Sequence, residues 1–455
     1  MKNLRFGEAF IVLVLMIAFL GISVIGYGLM PQIPVLIVIS ALIFWLALIK
    51  KVSFDAISDS IVNGIKTAIV PIFIFILIGA LIAVWIQSGI IPSMMVAAFH
   101  MISVHFFVPS VFIVCSIVGL AIGSGFTTVS TIGIALLGMG MTLGINPALT
   151  CGAIVSGAVF GDKMSPISDS TNLASAIGEV DLFDHIQNMM WSTIPAFLCS
   201  LLLFALLGYN SHSASLQQIN QTTAVLNSHF HISFLALVPI LVMLVFSIIK
   251  VPAIPSLLLN IWLTAGLIKF SDPHFSFKQL ADLLQNGFVS KTHNQVVDSL
   301  MTRGGISSMM GTISLIILTL ALGGILMDQG IISKAMEPLT KRLRSPLSTI
   351  TATILSGIGI NLFVGEQYLS VILPGNAFKP VFAKNNLSPL ALSRTLEDGG
   401  SVINYIIPWG VAGSFVAATL GTPVMHFLPF VFFSLFSPIF SILSGLTGIG
   451  LKKIK

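Results

Sequence analysis

Long apolar segments separated by short polar ones make up most of the chain. Several contain eighteen or more mostly apolar residues, enough for an α-helix to cross about 30 Å of hydrocarbon. The pattern predicts an all-α polytopic membrane protein with about ten full transmembrane helices. These spans are expected near residues 9–28, 32–49, 67–87, 106–123, 186–208, 232–249, 251–269, 306–328, 346–364 and 425–447.

Composition agrees with this class and indicates an orientation. The chain is 56% hydrophobic and 8% charged, whereas soluble domains are about 25% charged. Its formal net charge of +5 does not indicate a nucleic-acid partner, because the basic residues concentrate at the ends of apolar segments. The positive-inside rule then predicts a multi-pass protein with both termini cytoplasmic. The basic residues expected on that side are Lys50, Lys51, Lys66, Lys250, Lys334, Lys341, Arg342, Arg344, Lys452, Lys453 and Lys455.

Short internal matches divide the chain into two halves. The pair Asp59-Ser60 recurs as Asp298-Ser299, and three further positions recur at a constant offset of 242 residues. Those three are Pro147, Gly157 and Pro166, which match Pro389, Gly399 and Pro408. A surface helix at 90–100 is expected outside and its counterpart at 331–344 inside. The halves are therefore predicted to be inverted-topology repeats.

This repeat predicts five regions along the chain. A first transmembrane helix at 1–31 precedes repeat 1 at 32–208. A connecting loop and helix at 209–250 lead to repeat 2 at 251–447, and a cytoplasmic tail follows at 448–455.

Each repeat contains a polar region that cannot be a plain spanning helix. We call the region 123–172 the first break and the region 361–409 the second break. Glycine permits non-helical backbone, and proline removes a hydrogen-bond donor. Backbone groups freed in this way are tolerated in a membrane only where they line a polar cavity or are buried in protein. We therefore predict re-entrant or interrupted helices at both breaks, meeting near the midplane.

The stretch 161–172 of the first break is the most polar part of this apolar surrounding. One Asp or Lys at the centre of a membrane costs roughly 2.5–3.5 kcal/mol, so such a stretch indicates a pathway or a site. Carboxylate, hydroxyl and amide oxygens are the ligands that a dehydrated small cation prefers. A carboxylate in a low dielectric also retains a proton more readily, so one site can bind either a proton or a cation.

These considerations predict an ion- and proton-binding site with no catalytic residue and no resident cofactor. Asp162 and Asp169 are the predicted Na⁺ ligands. The full set of candidate residues is Asp162, Asp169, Ser165, Ser168, Thr171, Asn172, Thr127, Thr128, Ser130, Glu366, Gln367, Glu397 and Asp398.

Structural roles are the alternative for several of these residues. Asp162 could pair only with its neighbour Lys163, and Asp169 could cap a helix that starts near residue 171 or 172. Arg394 and Asp398 are four residues apart and could form a structural ion pair, which would leave Glu397 freer.

Three motifs resemble the NhaC-type Na⁺/H⁺ antiporter family of the ion-transporter superfamily. They are FGDKMSPISDSTNL at 160–173, GEQYLSVILPG at 365–375 and LSRTLEDGG at 392–400, followed by Pro408-Trp409. The resemblance covers most of the chain and implies an inner-membrane antiporter that transports Na⁺ and H⁺. The family also includes exchangers that couple these ions to organic acids, such as malate–lactate antiporters.

The resulting expectation is a secondary active transporter that exchanges Na⁺ for H⁺ by alternating access. The alternative is a Na⁺/H⁺-coupled organic acid exchanger of the malate–lactate type, or an amino acid transporter. A carboxylate substrate would need a cation, and Lys163 and Arg394 are the candidates within the breaks. An intramembrane aspartyl protease fits poorly, because Asp162 and Asp169 lie in one short segment. The expected partners are the lipid bilayer and the transported solutes. The sequence leaves the question of a homodimer undecided.

Overall fold

Helices form most of the computed structural model, which describes residues 4–101, 106–209, 216–233, 236, 238–249, 251–341 and 343–454. A helix is the expected state of these apolar segments, because it satisfies every backbone polar group without water. Lys250, Arg342 and Lys455, which contribute to the predicted orientation, lie outside the described residues.

The first part of the chain, through residue 209, contains ten helices in its described residues. They are α1 Phe6–Gly26, α2 Gln32–Ile49, α3 Phe54–Lys66, α4 Ile69–Gln87, α5 Ile90–Met101, α6 Phe107–Ile122, α7 Gly125–Thr142, α8 Pro147–Met164, α9 Asp169–Gly178 and α10 Leu182–Tyr209.

The described residues of the second part contain thirteen more. They are α11 Leu216–His229, α12 Val238–Ile248, α13 Ala253–Ser271, α14 Phe277–Asn286, α15 Gln295–Met301, α16 Ile306–Asp328, α17 Ile331–Lys341, α18 Pro346–Val364, α19 Gln367–Lys384, α20 Pro389–Ile406, α21 Val411–Leu420, α22 Val424–Phe430 and α23 Phe432–Thr447.

Eight helices of the described residues are long and apolar enough to cross a membrane, or up to ten if each bent pair is one span. This confirms the predicted all-α polytopic class. Two expected spans are shorter than predicted, since α6 has 16 residues and α12 has 11. The connection predicted at 209–250 contains the polar helix α11, where no helix was expected before residue 232.

Helix boundaries recur at the offset already seen in the sequence. Helices α7, α8 and α9 begin and end 242 residues before α19, α20 and α21 respectively. The preceding turns also correspond, because Gly123 has φ +69° and Gly365 has φ +68°. Both are left-handed conformations, which glycine adopts without steric cost. The offset therefore recurs in the boundaries of three pairs of helices, while the two inverted-topology repeats at 32–208 and 251–447 stay a prediction.

The first break is more helical than its polar sequence suggests. Its non-helical links are confined to residues 123–124, 143–146 and 165–168, with α7 and α8 between them. The second break is likewise interrupted at Gly365-Glu366, at 385–388 between α19 and α20, and again between α20 and α21, which meet at an angle of 40°. Within α20 the backbone changes to a π-helical turn at Glu397–Ser401.

Helices α6 and α8 pack with their backbones in direct contact. A Cβ atom added at Gly161 would lie 2.5 Å from the carbonyl carbon of Gly119, and one at Gly157 would lie 2.5 Å from the carbonyl oxygen of Phe112. Only glycine permits this approach. Because Asp162 follows Gly161 directly, the contact fixes the position of the first acidic residue of the break.

Candidate functional site

A buried ion pair joins the two breaks at the end of α8. The ammonium of Lys163 lies 2.5 Å from the Asp398 carboxylate, and the two side chains are 1% and 0% exposed. Ser437 on α23 completes the arrangement, because its hydroxyl lies 2.8 Å from the ammonium and 2.5 Å from the same carboxylate oxygen. The charge of Lys163 is therefore balanced by the opposite half of the chain and not by its neighbour in sequence.

Asp162 is buried beside this pair and has a different set of partners. Its carboxylate accepts a hydrogen bond of 2.8 Å from the Ser168 hydroxyl, and the backbone N–H of Gly125 faces it. Gly125 is the first residue of α7, so the carboxylate lies at the positive end of a helix dipole. Ser124 caps that helix by accepting from the backbone N–H of Thr127 at 3.3 Å.

The second break places two acids on consecutive positions of the π-helical turn. Asp398 belongs to the ion pair, whereas Glu397 accepts a hydrogen bond from Ser401 and leaves Oε1 buried without a partner. Glu397 lies within electrostatic range of Lys163, Asp162 and Asp398. The structure thus brings the acids of the two breaks together, as the sequence predicted only in outline.

Glu366 occupies the position in the second break that Ser124 occupies in the first. It is 7% exposed and caps α19 by accepting from the backbone N–H of Leu369 at 2.8 Å. Tyr368, in the first turn of α19, lies within electrostatic range of Glu366, Asp162 and Asp169. The two helix N-termini therefore point their caps towards one acidic region.

Most hydroxyl and amide groups of the candidate set stabilise freed backbone in this structure. Ser165 donates to the carbonyl of Leu120 at 2.8 Å, and Thr171 donates to that of Lys163 at 3.0 Å. Further bonds from candidate side chains to backbone carbonyls join Asn172 to Ser168 and Pro166, Thr128 to Ser124, and Ser130 to Thr127. Among the hydroxyls of the stretch 161–172, Ser168 is the one that bonds directly to the Asp162 carboxylate.

Three of the structural alternatives are wrong. Lys163 pairs with Asp398, not with Asp162. Arg394 does not pair with Asp398, since its guanidinium donates to the Gly450 carbonyl and to Ser444, both at 2.9 Å. Asp169 does not cap a later helix either, because it is itself the first residue of α9 and Ser168 is the N-cap.

Asp169 is exposed to solvent, in contrast to Asp162. Among the described residues, no group of three or more His, Cys, Asp or Glu side chains is arranged to hold a metal ion. The Na⁺-binding role of these two acids stays a prediction.

Sequence reasoning missed several buried polar residues. Asn404 donates to the side chain of Asn361 at 2.7 Å and accepts from the backbone N–H of Ala412 at 2.9 Å. The Tyr405 hydroxyl is buried against Gly125. The offset of 242 residues would have identified Asn404 as the counterpart of Asp162. The spacing of Ser434, Ser437, Ser441 and Ser444, which places four hydroxyls on one face of α23, would have identified Ser437.

The chain matches the sequence model of one protein family and is similar to several known proteins. The sequence model of the Na⁺/H⁺ antiporter family matches residues 5–171 and 157–449. The Na(+)/H(+) antiporter NhaC of Alkalihalophilus pseudofirmus is 40% identical over 99% of this chain and 98% of its own length. The arginine/ornithine antiporter ArcD of Halobacterium salinarum is 34% identical over 98% and 93%. The malate-2H(+)/Na(+)-lactate antiporter of Bacillus subtilis is 30% identical over 98% and 96%.

Proposed function

This chain belongs to the Na⁺/H⁺ antiporter family, and on that premise we propose that it exchanges Na⁺ for H⁺ across the cytoplasmic membrane by alternating access. The buried carboxylate of Asp162 is the group that binds either ion. Both termini face the cytoplasm in this proposal, which follows the distribution of the basic residues.

One observation carries the proposal: Asp162 is buried without a cation, although a lysine follows it directly in sequence. Among the described residues, the ion pair of Lys163 is with Asp398, and no Lys, Arg or His pairs with Asp162. A buried carboxylate without a counter-charge is costly, because it has lost its hydration. Taking up either a proton or a cation removes that cost.

The surroundings of Asp162 suit exclusive occupancy. A small hard cation binds to carboxylate and hydroxyl oxygens, and Ser168 places a hydroxyl oxygen 2.8 Å from the carboxylate. Na⁺ and a proton each neutralise the single negative charge of this carboxylate, so binding of one disfavours binding of the other. Asp169, exposed at the start of α9, then meets the ion before Asp162 does.

Glu397 is the second acid of the proposed site. It is 0% exposed and, like Asp162, forms no ion pair within the described part of the chain. If two protons move for each Na⁺, Asp162 and Glu397 carry them. Exchange would then move net charge and respond to voltage at about 2.3 kcal/mol per charge per 100 mV.

The test is Na⁺-driven proton flux in proteoliposomes, with the membrane potential clamped by K⁺ and valinomycin. Asp162→Asn is expected to reduce the flux to the background of protein-free liposomes while the protein still inserts. Asp169→Asn makes the same chemical change at an exposed position and is expected to retain measurable flux. Wild-type flux in Asp162→Asn overturns the assignment of Asp162, and absence of Na⁺-driven flux in the wild type overturns the proposed function.

Exchange of an organic solute is the second candidate, because two relatives are named as an arginine/ornithine and a malate–lactate antiporter. The charges disfavour an anionic substrate. Lys163 is engaged by Asp398 and Ser437, and Arg394 by Ser444 and Gly450. An absolute requirement for malate, lactate, arginine or ornithine in the flux assay would replace the first candidate by this one.

A further inference from the structure

The guanidinium of Arg394 is buried against neutral oxygen atoms. Arg394 lies on α20, is 0% exposed, and donates hydrogen bonds to the Gly450 carbonyl and the Ser444 hydroxyl, both at 2.9 Å. Within the described part of the chain it forms no ion pair, and its Nε atom is buried without a partner. A buried charge is costly unless it is paired, so the position of this guanidinium depends on those two oxygens.

The C-terminal segment 448–454 brings the Gly450 carbonyl to Arg394. After α23 the segment runs antiparallel to the link 385–388 between α19 and α20. Two backbone hydrogen bonds, of 3.0 and 3.1 Å, join the segment to that link. On the other side of Gly450 lies Trp191 of α10, which an added Cβ atom would overlap. The Gly450 carbonyl is therefore fixed in place by contacts on both sides.

Asp398 offers Arg394 an alternative acceptor. It is four residues further along α20, and residues at this spacing are neighbours on a helix. The two side chains lie within electrostatic range of each other. The Oδ2 atom of Asp398 is buried without a partner, whereas Oδ1 binds Lys163 and Ser437. Hydrogen bonds to a carboxylate are roughly twice as strong as those to neutral oxygens, so the guanidinium is expected to turn to Oδ2 when its contact with Gly450 is lost.

We propose that the C-terminal segment positions Arg394, so that Asp398 stays the counter-charge of Lys163 alone and Asp162 stays available to Na⁺. The inference rests on the proposed antiport function. Arg394 is a positioning residue in it, because its guanidinium acts on the ion only through Asp398. The role falls on one backbone carbonyl of the segment and on an arginine outside the candidate set.

Loss of this contact would bring a positive charge towards the site. With the guanidinium at Oδ2, the carboxylate of Asp398 is shared by two cations, Arg394 and Lys163. Its attraction for each of them weakens, and the remaining positive charge repels a cation that approaches Asp162. Na⁺ then binds more weakly, so the KM for Na⁺ rises. A purely structural role of the segment would instead reduce the amount of folded protein, which lowers the maximal flux and leaves KM unchanged.

The decisive variant is Gly450→Ala, which displaces the carbonyl from Arg394. Gly450 has φ +67°, and an added Cβ atom would overlap Trp191, so the turn must shift. Gly448→Ala is the matched control, because Gly448 has φ +76° but nothing within 4 Å of an added Cβ atom. In the assay of Na⁺-driven proton flux, Gly450→Ala is expected to raise the KM for Na⁺ about tenfold, the order of effect of a unit charge brought nearer in a low dielectric. An unchanged KM in Gly450→Ala, or an equal rise in Gly448→Ala, overturns the inference.

Arg394→Met tests whether the guanidinium carries the effect. When Arg394→Met is already present, adding Gly450→Ala is expected to change the KM for Na⁺ by less than about twofold, because the two changes act through one contact and are not additive. An equal rise with and without the arginine would show that displacement of the turn acts independently of the guanidinium, and it would overturn the inference.

Ser444→Ala is the second variant and keeps the test open if Gly450→Ala fails to insert. It removes the other oxygen that accepts from Arg394 and changes no residue of the segment 448–454. A smaller rise in KM, about threefold, is expected from the loss of one hydrogen bond, and it should disappear in combination with Arg394→Met. No rise, or a rise that persists with Arg394→Met, contradicts the proposal. An unchanged KM with Na⁺-driven flux intact removes only the role of Arg394, whereas absence of such flux in the wild type removes the antiport function itself.

Discussion

Asp162 and Asn404 occupy the same position in the two repeated helices, yet they are opposite in electrostatic character. Each is the third residue from the end of its helix, α8 or α20. Asn404 is neutral and satisfied at both ends of its amide, by Asn361 and by the backbone of Ala412. Asp162 is acidic, and its direct hydrogen-bond partner among the described side chains is Ser168.

The difference shows that corresponding positions of two repeated helices can carry side chains with different roles. In the second break the amide at this position fixes backbone, and the acids lie one to two turns earlier, at Glu397 and Asp398. Asp398 neutralises Lys163 of the first break. The second half thus supplies the counter-charge of Lys163, and the carboxylate of Asp162 forms no ion pair within the described residues.

The largest expected loss of stability comes from removing the carboxylate that neutralises Lys163. Asp398→Asn leaves the Lys163 ammonium, 1% exposed, without a compensating charge. Removing one partner of a buried ion pair costs about 3–5 kcal/mol. Urea or thermal unfolding in detergent measures the loss. Asp162→Asn is the matched control and is not expected to destabilise by this mechanism, because it removes a buried charge that has no counter-charge among the described residues.

Removing both members of the pair sharpens the same comparison. The double variant Lys163→Met with Asp398→Leu is expected to recover most of the stability lost in Asp398→Asn, since apolar replacement of a whole buried pair is often neutral or stabilising. If the double variant is less stable than Asp398→Asn, then packing, and not uncompensated charge, explains the loss.

An intermediate loss of stability is expected when Asn404 is replaced by the residue type of its counterpart, Asp162. Asn404→Asp places a carboxylate oxygen opposite the Asn361 oxygen that now accepts from Asn404 at 2.7 Å. Two acceptors then face each other, at a cost of about 1–3 kcal/mol. The same unfolding measurements apply. Equal stability of Asn404→Asp and the wild type would contradict the structural role assigned to this amide.

The smallest effect concerns another repeated pair, Asp59 and Asp298. Hydrogen bonds from Ser290 and Thr292 lower the pKa of the Asp298 carboxyl to about 2, whereas Asp59 is exposed. A lowered pKa in the folded state stabilises the fold above the ordinary Asp value of about 3.9, and this contribution is lost as pH falls towards 2.

Asp298→Asn should therefore lower the melting temperature slightly at pH 7, and its difference from the wild type should shrink as pH falls through that range. Asp59→Asn is the control and should leave the melting temperature unchanged. A pH-independent difference for Asp298→Asn would show that its carboxylate charge is not the cause.

The apolar pattern was enough to predict the helical class and most spans, because a membrane leaves the backbone few alternatives. The offset between Pro147 and Pro389 also recurs in the boundaries of helices α7 to α9 and α19 to α21. The pairing of the charged side chains was not predictable from the sequence. Residues four apart on a helix often interact, and this favoured Arg394 as the partner of Asp398. In the structure Arg394 donates to Gly450 and Ser444 instead, and Asp398 meets a lysine 235 residues away.

That separation in sequence has a consequence in time. Translation proceeds at about 5–20 residues per second, so the 235 residues between Lys163 and Asp398 take roughly 12–47 s to synthesise. During this interval the ribosome has delivered the lysine but not its counter-charge. The nascent first half must hold Lys163 near water, or close to Asp162, until the second half arrives. Burial of Lys163 beside its counter-charge therefore requires synthesis of the second half at least as far as Asp398.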